Sequence, residues 1–228
     1  MDQHQQATRL PDWNQVLVVI AHPDDESFGL GAIIDTFTSS GAAVQILCLT
    51  HGEASTLGGE IDDLGTQRKQ ELENASRILG VAGTKLLNWP DGALAHADVD
   101  AVVADIRAAI SEHSPDGLLV FEPHGVSGHP DHAAATARAL DAVAGSPLPV
   151  LAWTVPEEVA TQLNAEVGAL IHGERAENID ILLPVDRANQ RDAINAHESQ
   201  VVPGGILRRR LELMGDQEAL RWLQGPAS

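Results

Sequence analysis

At 228 residues, 43% hydrophobic and 21% charged, the chain can enclose a sizeable core and has an ordinary globular composition. A formal net charge of −19 sets it against nucleic acid and against anionic membrane surfaces, because phosphate would be repelled almost everywhere. No apolar run approaches the ~18 residues of a membrane span, residues 1–6 lack the basic and apolar regions of a signal peptide, and one cysteine, Cys48, cannot close an internal disulfide; together these point to the cytoplasm.

Residues 1–12 read as a flexible tail. The first element is the run Val16-Leu17-Val18-Val19-Ile20, a buried strand, which leads straight into Ala21-His22-Pro23-Asp24-Asp25-Glu26. A helix is expected over residues 28–39, with Leu30, Ile33, Ile34 and Phe37 on one face and Gly41 past its end. Gly29-Leu30-Gly31 is no dinucleotide fingerprint, since Ile34 stands where the third glycine belongs. A second strand over residues 44–49 precedes Thr50-His51-Gly52-Glu53, a glycine-rich loop through Gly65, and a helix over 66–79 ending at Gly80. Residues 85–89 form a short strand closed by the turn Pro90-Asp91-Gly92. The next helix, 99–110, carries Val99, Val102, Val103, Ile106 and Ile110 at helical spacing.

A fourth strand, 117–121, leads into Gly128-His129-Pro130-Asp131-His132 and an alanine-rich helix over 131–143. Residues 150–155 give a fifth strand, 156–168 a helix and 179–185 a peripheral sixth strand. Asp186 caps an expected helix through His197, and a last helix is expected over 206–223. No Pro/Ser linker breaks the alternation, so residues 1–228 read as one domain. The pattern predicts an α/β fold: an open, mainly parallel sheet with helices on both faces and C-terminal strands and helices at its periphery. Such sheets bind ligands beyond the carboxyl ends of their strands, where strand order reverses. Residues 22–26, 51–53, 91 and 129–132 all follow strands, so they converge on one edge.

Three acids and a histidine at the exit of a buried strand are costly to desolvate unless they face a cleft or share a cation. Two imidazoles and a carboxylate around an exchangeable water make a hydrolytic zinc site. Residues three apart in a short turn can point the same way, so His22 and Asp25 can bind one ion and leave Asp24 free as a general base. The second loop adds His132, with His129 nearby to stabilise an oxyanion or help the amine leave. The same donors suit Fe2+ or another divalent ion. Ordinary Pro-Asp turns explain one such loop as readily as a site does; two, each at a strand exit, favour the site. Cys48 reads as a packing residue, Glu26 as an anchor of its loop, and His197 as packing or hydrogen bonding.

The motifs Ala21-His22-Pro23-Asp24-Asp25-Glu26, Gly52-Glu53, Gly65-x-x-Arg68-x-x-Glu71, Pro90-Asp91-Gly92 and Gly128-His129-Pro130-Asp131-His132 resemble, in order, those of the PIG-L/LmbE-like N-acetylglucosamine deacetylases. Ala196-His197-Glu198-Ser199-Gln200 is similar to that family's His-x-Ser-Gln element. The resemblance implies Zn2+-dependent amide hydrolysis on a Rossmann-like scaffold. It implies His22, Asp25 and His132 as ligands, Asp24 as base, His129 as acid or oxyanion partner, and Arg68 and Asp91 as contacts to sugar hydroxyls. The implied substrate is a small acetylated amino sugar, cleaved to acetate and free amine. Thiol-pathway relatives carry a tyrosine where Ser127 stands, and this chain has none, which excludes a phenol-assisted step. Two alternatives stay open: the same chemistry on a thiol conjugate or acylated antibiotic, and a non-catalytic metal- or small-ligand-binding protein. The sequence does not reveal oligomeric state.

Overall fold

The computed structural model describes residues 6–57, 62–202 and 204–226. Its strands are β1 (Gln15–Ile20), β2 (Ala43–Thr50), β3 (Gly83–Trp89), β4 (Gly117–Phe121), β5 (Val150–Thr154), β6 (Ile181–Pro184) and β7 (Gln217–Gln224). They join in one sheet of order β3-β2-β1-β4-β5-β7-β6. β1 to β5 pair in parallel, whereas β7 runs antiparallel to both β5 and β6. β1, β4 and β5 are buried nearly end to end, which is why each is an unbroken apolar run and not an alternating one.

The helices are α1 (Asp25–Phe28), α2 (Gly31–Ser39), α3 (Leu64–Ile78), α4 (Val99–His113), α5 (Gly125–Gly128, one distorted turn), α6 (Pro130–Val143), α7 (Glu157–Val167), α8 (Ala188–Asn195) and α9 (Ile206–Met214). Side chains of β1 alternate between two cores. Val16, Val18 and Ile20 pack with α2, α3, α7, α8 and α9. Leu17 and Val19 pack with Val102 and Ile106 of α4 and Ala135 and Ala139 of α6. The sheet is therefore covered on both faces, as the alternation predicted.

Strand order reverses at β1, which lies between β2 and β4. The loops that leave the carboxyl ends of β1 and β4 consequently meet at the switch point, the place where parallel sheets bind ligands.

Three expectations need correction. The closing helix stops at Met214, because Gly215 turns the chain at φ 55 and residues 217–224 become β7. The Gln-Glu-Ala-Leu stretch favours a helix locally, but the ladder offered by the free edge of β5 prevails. The helix expected from Phe28 is broken at Gly29, where a Cβ would stand 2.7 Å from the Phe121 ring. Residues 6–12 are not a loose tail: Ala7 bridges to Ile181, and Trp13 just beyond stacks on Phe37 at 5.8 Å. Residues 1–5 of that expected tail lie outside the described residues.

Candidate metal centre

The loop after β1 folds around its own carboxylate. Asp25 Oδ2 accepts the backbone N–H of His22 at 2.9 Å and of Ala21 at 3.2 Å. Between them Asp24 takes φ 121, ψ −27, a conformation that L-residues rarely adopt and that the surroundings must enforce. Its N–H donates to Glu26 Oε2 at 2.9 Å, and Glu26 Oε1 is 2.6 Å from His197 Nε2, both side chains being fully buried. The loop after β4 repeats the device. Glu122 Oε1 accepts the N–H of Val126 at 2.6 Å, and Val126 sits at φ 60, ψ −59, an outlier for a β-branched residue. His129 then caps α6 with Pro130 at its start, which puts His132 in the first turn facing β1.

His22 Nδ1 lies 3.1 Å from His132 Nε2, and His132 Nε2 lies 3.1 Å from Asp25 Oδ1. His22 Nδ1 and Asp25 Oδ2 are 3.8 Å apart. Tetrahedral bonds of 2.0–2.1 Å would separate ligand atoms by about 3.3 Å, close to the two 3.1 Å spacings, and the imidazoles of His22, His129 and His132 lie near enough to one another to share an ion. The hydrogen bonds on the far side of each ring decide which nitrogen carries the proton. His22 Nε2 faces Asp91 Oδ1 at 3.0 Å and Asp131 Oδ2 at 3.4 Å, and His132 Nδ1 faces the carbonyl of Gly125 at 3.2 Å. Acceptors at those positions fix the protons there and turn the two lone pairs toward each other. Two nitrogens so placed can share a proton or hold a cation between them.

Electrostatics agree. Burial works against protonation of His22, yet hydrogen bonds to Asp131 and Asp91 outweigh it and lift its pKa to about 10. Burial also opposes the Asp25 carboxylate, but the His132 imidazole beside it holds its pKa well below the usual range. Asp24 behaves differently: burial pushes its pKa up to about 6 against the pull of Arg68. Burial, with His132 and His22 nearby, lowers the pKa of His129.

The structure brings His22, Asp24, Asp25, His129 and His132 together. The His129 ring stands 4.8 Å from both other imidazoles, and its Nδ1 accepts the N–H of Asp131 at 3.2 Å, leaving Nε2 as the N–H donor. Arg68 and Asp91, expected at sugar hydroxyls, turn to the chain itself. Arg68 is buried, with its guanidinium 2.9 Å from Asp24 Oδ2, 2.7 Å from the Gly52 carbonyl and against that of Pro23. Asp91 accepts from His22 and, at 2.8 Å, from the N–H of Ala54.

Sequence reasoning gave no role to Asp131 or Glu122. Asp131 links three segments, accepting the N–H groups of Gly92 at 2.7 Å and Leu94 at 3.0 Å while facing His22. A signal for Glu122 existed: an acid directly after the apolar strand β4, as Glu26 follows β1. In the late segment, Ser199 donates to Glu71 at 2.6 Å and Gln200 accepts from Ser55 at 2.7 Å, which fastens the loop after β2.

The family model described as GlcNAc-PI de-N-acetylase (PIG-L) matches residues 17–143. A 1D-myo-inositol 2-acetamido-2-deoxy-alpha-D-glucopyranoside deacetylase of Kineococcus radiotolerans is 34% identical over 87% of this chain and 61% of its own length. A probable N-acetyl-alpha-D-glucosaminyl L-malate deacetylase 2 of Bacillus cereus is 31% identical over 92% of this chain and 94% of its own. The chain thus spans about three fifths of the first of these relatives and nearly all of the second. The N,N'-diacetylchitobiose deacetylase of Pyrococcus horikoshii superposes with a TM-score of 0.65 at 23% identity, covering 93% of this chain and 85% of that one. GalB, a 4-carboxy-2-hydroxymuconate hydratase from Pseudomonas putida, superposes at 0.70 with 18% identity, covering 94% and 98%. At such identities the superpositions speak for the fold alone, and one fold serves a hydratase as well as a deacetylase.

Proposed function

The chain belongs to the PIG-L family, and from that premise we propose that it is a metal-dependent deacetylase. Its reaction is hydrolysis of the acetamide of an N-acetylglucosamine-type small molecule to acetate and free amine. The observation that carries this is the convergence of His22 Nδ1 and His132 Nε2 at 3.1 Å with the Asp25 carboxylate 3.1 Å from His132.

His22 through Nδ1, His132 through Nε2 and Asp25 through a carboxylate oxygen would hold the ion, Zn2+ fitting the spacing and Fe2+ the donor types. When bound, such an ion supplies Lewis acidity and brings the pKa of water down toward neutrality.

The chain's own residues do the rest. Asp24 is ionised at neutral pH with a pKa of about 6, and Arg68 orients it through Oδ2 alone. The carboxylate takes a proton from the attacking water as the C–O bond forms, and returns it to the amine nitrogen as the C–N bond breaks. His129, neutral because its pKa is lowered, offers the Nε2 proton to the carbonyl oxygen as negative charge develops there. Neither role needs a phenol, in keeping with Ser127 and a chain without tyrosine.

Among the described residues no helix is long and apolar enough to cross a membrane, and Cys48 is buried and unpaired. These features support work on a small diffusible substrate in the cytoplasm. The test is acetate release from N-acetylglucosaminyl conjugates by protein carrying one Zn2+ per chain, with loss on chelation. Metal-loaded protein that releases acetate from no acetylated amino sugar would overturn the reading.

A further inference from the structure

The turn that carries Asp24 and Asp25 is held by side chains from the last part of the chain. α1 is four residues long, so its final carbonyls find no partners within the helix. Two of them are met from far along the sequence. Gln190 Nε2 of α8 donates to the Ser27 carbonyl at 3.1 Å, and Arg210 Nη2 of α9 donates to that of Phe28. Gly29 beyond them lies against two rings, where a Cβ would come 2.7 Å from Phe121 and 3.0 Å from Trp153. The same rings reach the other loop. The Arg210 guanidinium sits 4.8 Å from the centre of the Trp153 ring, Trp153 meets Phe121 at 5.0 Å, and Phe121 meets the His132 imidazole edge-on at 5.0 Å. Arg210 therefore holds the helix of Asp25 directly and backs His132 through two aromatic contacts.

Neutralising its surroundings is not what Arg210 is for. The buried acid nearby, Glu218, is already satisfied: Arg187 Nη1 is 2.5 Å from its Oε1, and Trp153 Nε1 donates to its Oε2 at 2.8 Å. Arg187 spends its other donors on the carbonyls of Gly215 and Gln217 and on Gln190 Oε1. Arg210 Nη1 stands 4.0 Å from Glu218 and, among the described residues, has no hydrogen-bond partner. Two arginines thus share one carboxylate out of water, an excess of charge that an apolar side chain of similar length would avoid. What an apolar side chain could not supply is the donor to Phe28.

We infer that Arg210, seconded by Gln190, is a positioning residue of the metal centre: through the Phe28 carbonyl it fixes α1, and with it the Asp25 ligand and the Asp24 base. Arg210, Gln190, Trp153 and Glu218 all lie outside residues 17–143, so the centre is completed by a part of the chain beyond the stretch that the family model matches. Arg210 acts on α1 and not on the substrate, so its loss falls on kcat and on the geometry of the ion. The kinetic part of the inference rests on the deacetylase reading; the geometry of a bound ion reports it independently.

Arg210→Met keeps the length of the side chain and its packing on Trp153 but has no donor, and Arg210→Lys restores one. Full-length protein of each is loaded with Co2+, whose visible absorption reports the arrangement of its ligands. Acetate release from an N-acetylglucosaminyl conjugate is followed in the Zn2+-loaded forms. In Arg210→Met, kcat is expected to fall by about tenfold or more with KM changed by less than about twofold, as slight misplacement of a catalytic group gives. The Co2+ bands should shift, Co2+ affinity should drop several-fold, and the thermal midpoint of the metal-free protein should hold or rise because a buried charge has gone. Arg210→Lys should recover the spectrum and most of kcat. A Co2+ spectrum and kcat left unaltered by Arg210→Met overturn the inference, as does a loss that follows a fallen midpoint and is not repaired by lysine. If Arg210→Met does not fold, Gln190→Met, which leaves the Ser27 carbonyl without its donor, decides by the same readouts. Unaltered protein that binds Co2+ but releases no acetate removes the deacetylase reading, while the spectra of the variants still decide the inference.

Discussion

Arg68 Nη2 stands 2.9 Å from Asp24 Oδ2, with the guanidinium only 3% and the carboxylate 14% exposed. A buried cation beside a buried acid does two things: it keeps the acid ionised and it fixes which oxygen stays free. Arg68→Met removes the charge that opposes burial, so the pKa of Asp24 climbs above about 6 and the acid limb of kcat/KM moves to higher pH. At neutral pH we expect turnover to drop by roughly 10–100-fold through lost charge and lost orientation, with partial recovery in Arg68→Lys. A pH profile left in place by Arg68→Met would assign the arginine a different role.

Asp24→Asn separates holding the ion from using it. The carboxamide keeps the volume and can still face Arg68, and the three donors His22, Asp25 and His132 are untouched. Elemental analysis should give one metal per chain, while acetate release falls by about 10²–10⁴-fold with loss of the base. His132→Ala should do the opposite in order, losing metal first and activity as a consequence. An active Asp24→Asn protein would end the proposed proton transfer.

Each catalytic loop has one strained residue whose N–H is held by a buried carboxylate, Asp24 by Glu26 and Val126 by Glu122. Glu26 shares its burial with His197, at 2.6 Å and with both side chains out of water. Removing the imidazole in His197→Ala leaves that carboxylate without its counterpart, which costs about 3–5 kcal/mol in such pairs. Glu122→Ala frees the buried N–H of Val126, at roughly 1–3 kcal/mol. Denaturant midpoints with unchanged slopes would register both losses. In variants that still fold, kcat should fall more than KM rises, because these groups set the posture of Asp24 and the His132 loop from buried positions. Unaltered midpoints would show that the strain is held by other contacts.

How much of this was legible in the sequence depends on distance along the chain. β1, β4 and β5 are unbroken apolar runs because both faces are covered, and such runs are visible by eye. The clusters after β1 and β4 stood out because acids and imidazoles at buried strand ends are costly without a shared partner. β7 was missed, since Gln-Glu-Ala-Leu has helical preference and only the vacant ladder of β5 makes it a strand. The tautomer of His22 was equally hidden. It is fixed by Asp91 and Asp131, which arrive from two other loops and look in sequence like a turn residue and a helix-start acid. Arg68 lies on a polar helix, where nothing local tells whether a guanidinium meets solvent, substrate or Asp24.

Metal binding should be coupled to proton release, and the direction follows from His22. Its pKa in the metal-free chain is raised from 6.5 to about 10, so at neutral pH a proton occupies the imidazole that the ion needs as a neutral ligand. That raised pKa stabilises the metal-free fold fully below pH 6.5 and ceases to do so as pH climbs through about 10. The ion must displace the proton, so apparent Zn2+ affinity should rise by about tenfold per unit between pH 6.5 and 8, each proton released adding one power of ten. Calorimetry at pH 7 in two buffers of different protonation enthalpy should return at least one proton per ion bound. His132, whose pKa is also raised, chiefly by Asp25 once burial is overcome, can contribute a second. Binding without proton release, or affinity flat across that range, would mean that His22 Nδ1 is not where the ion sits.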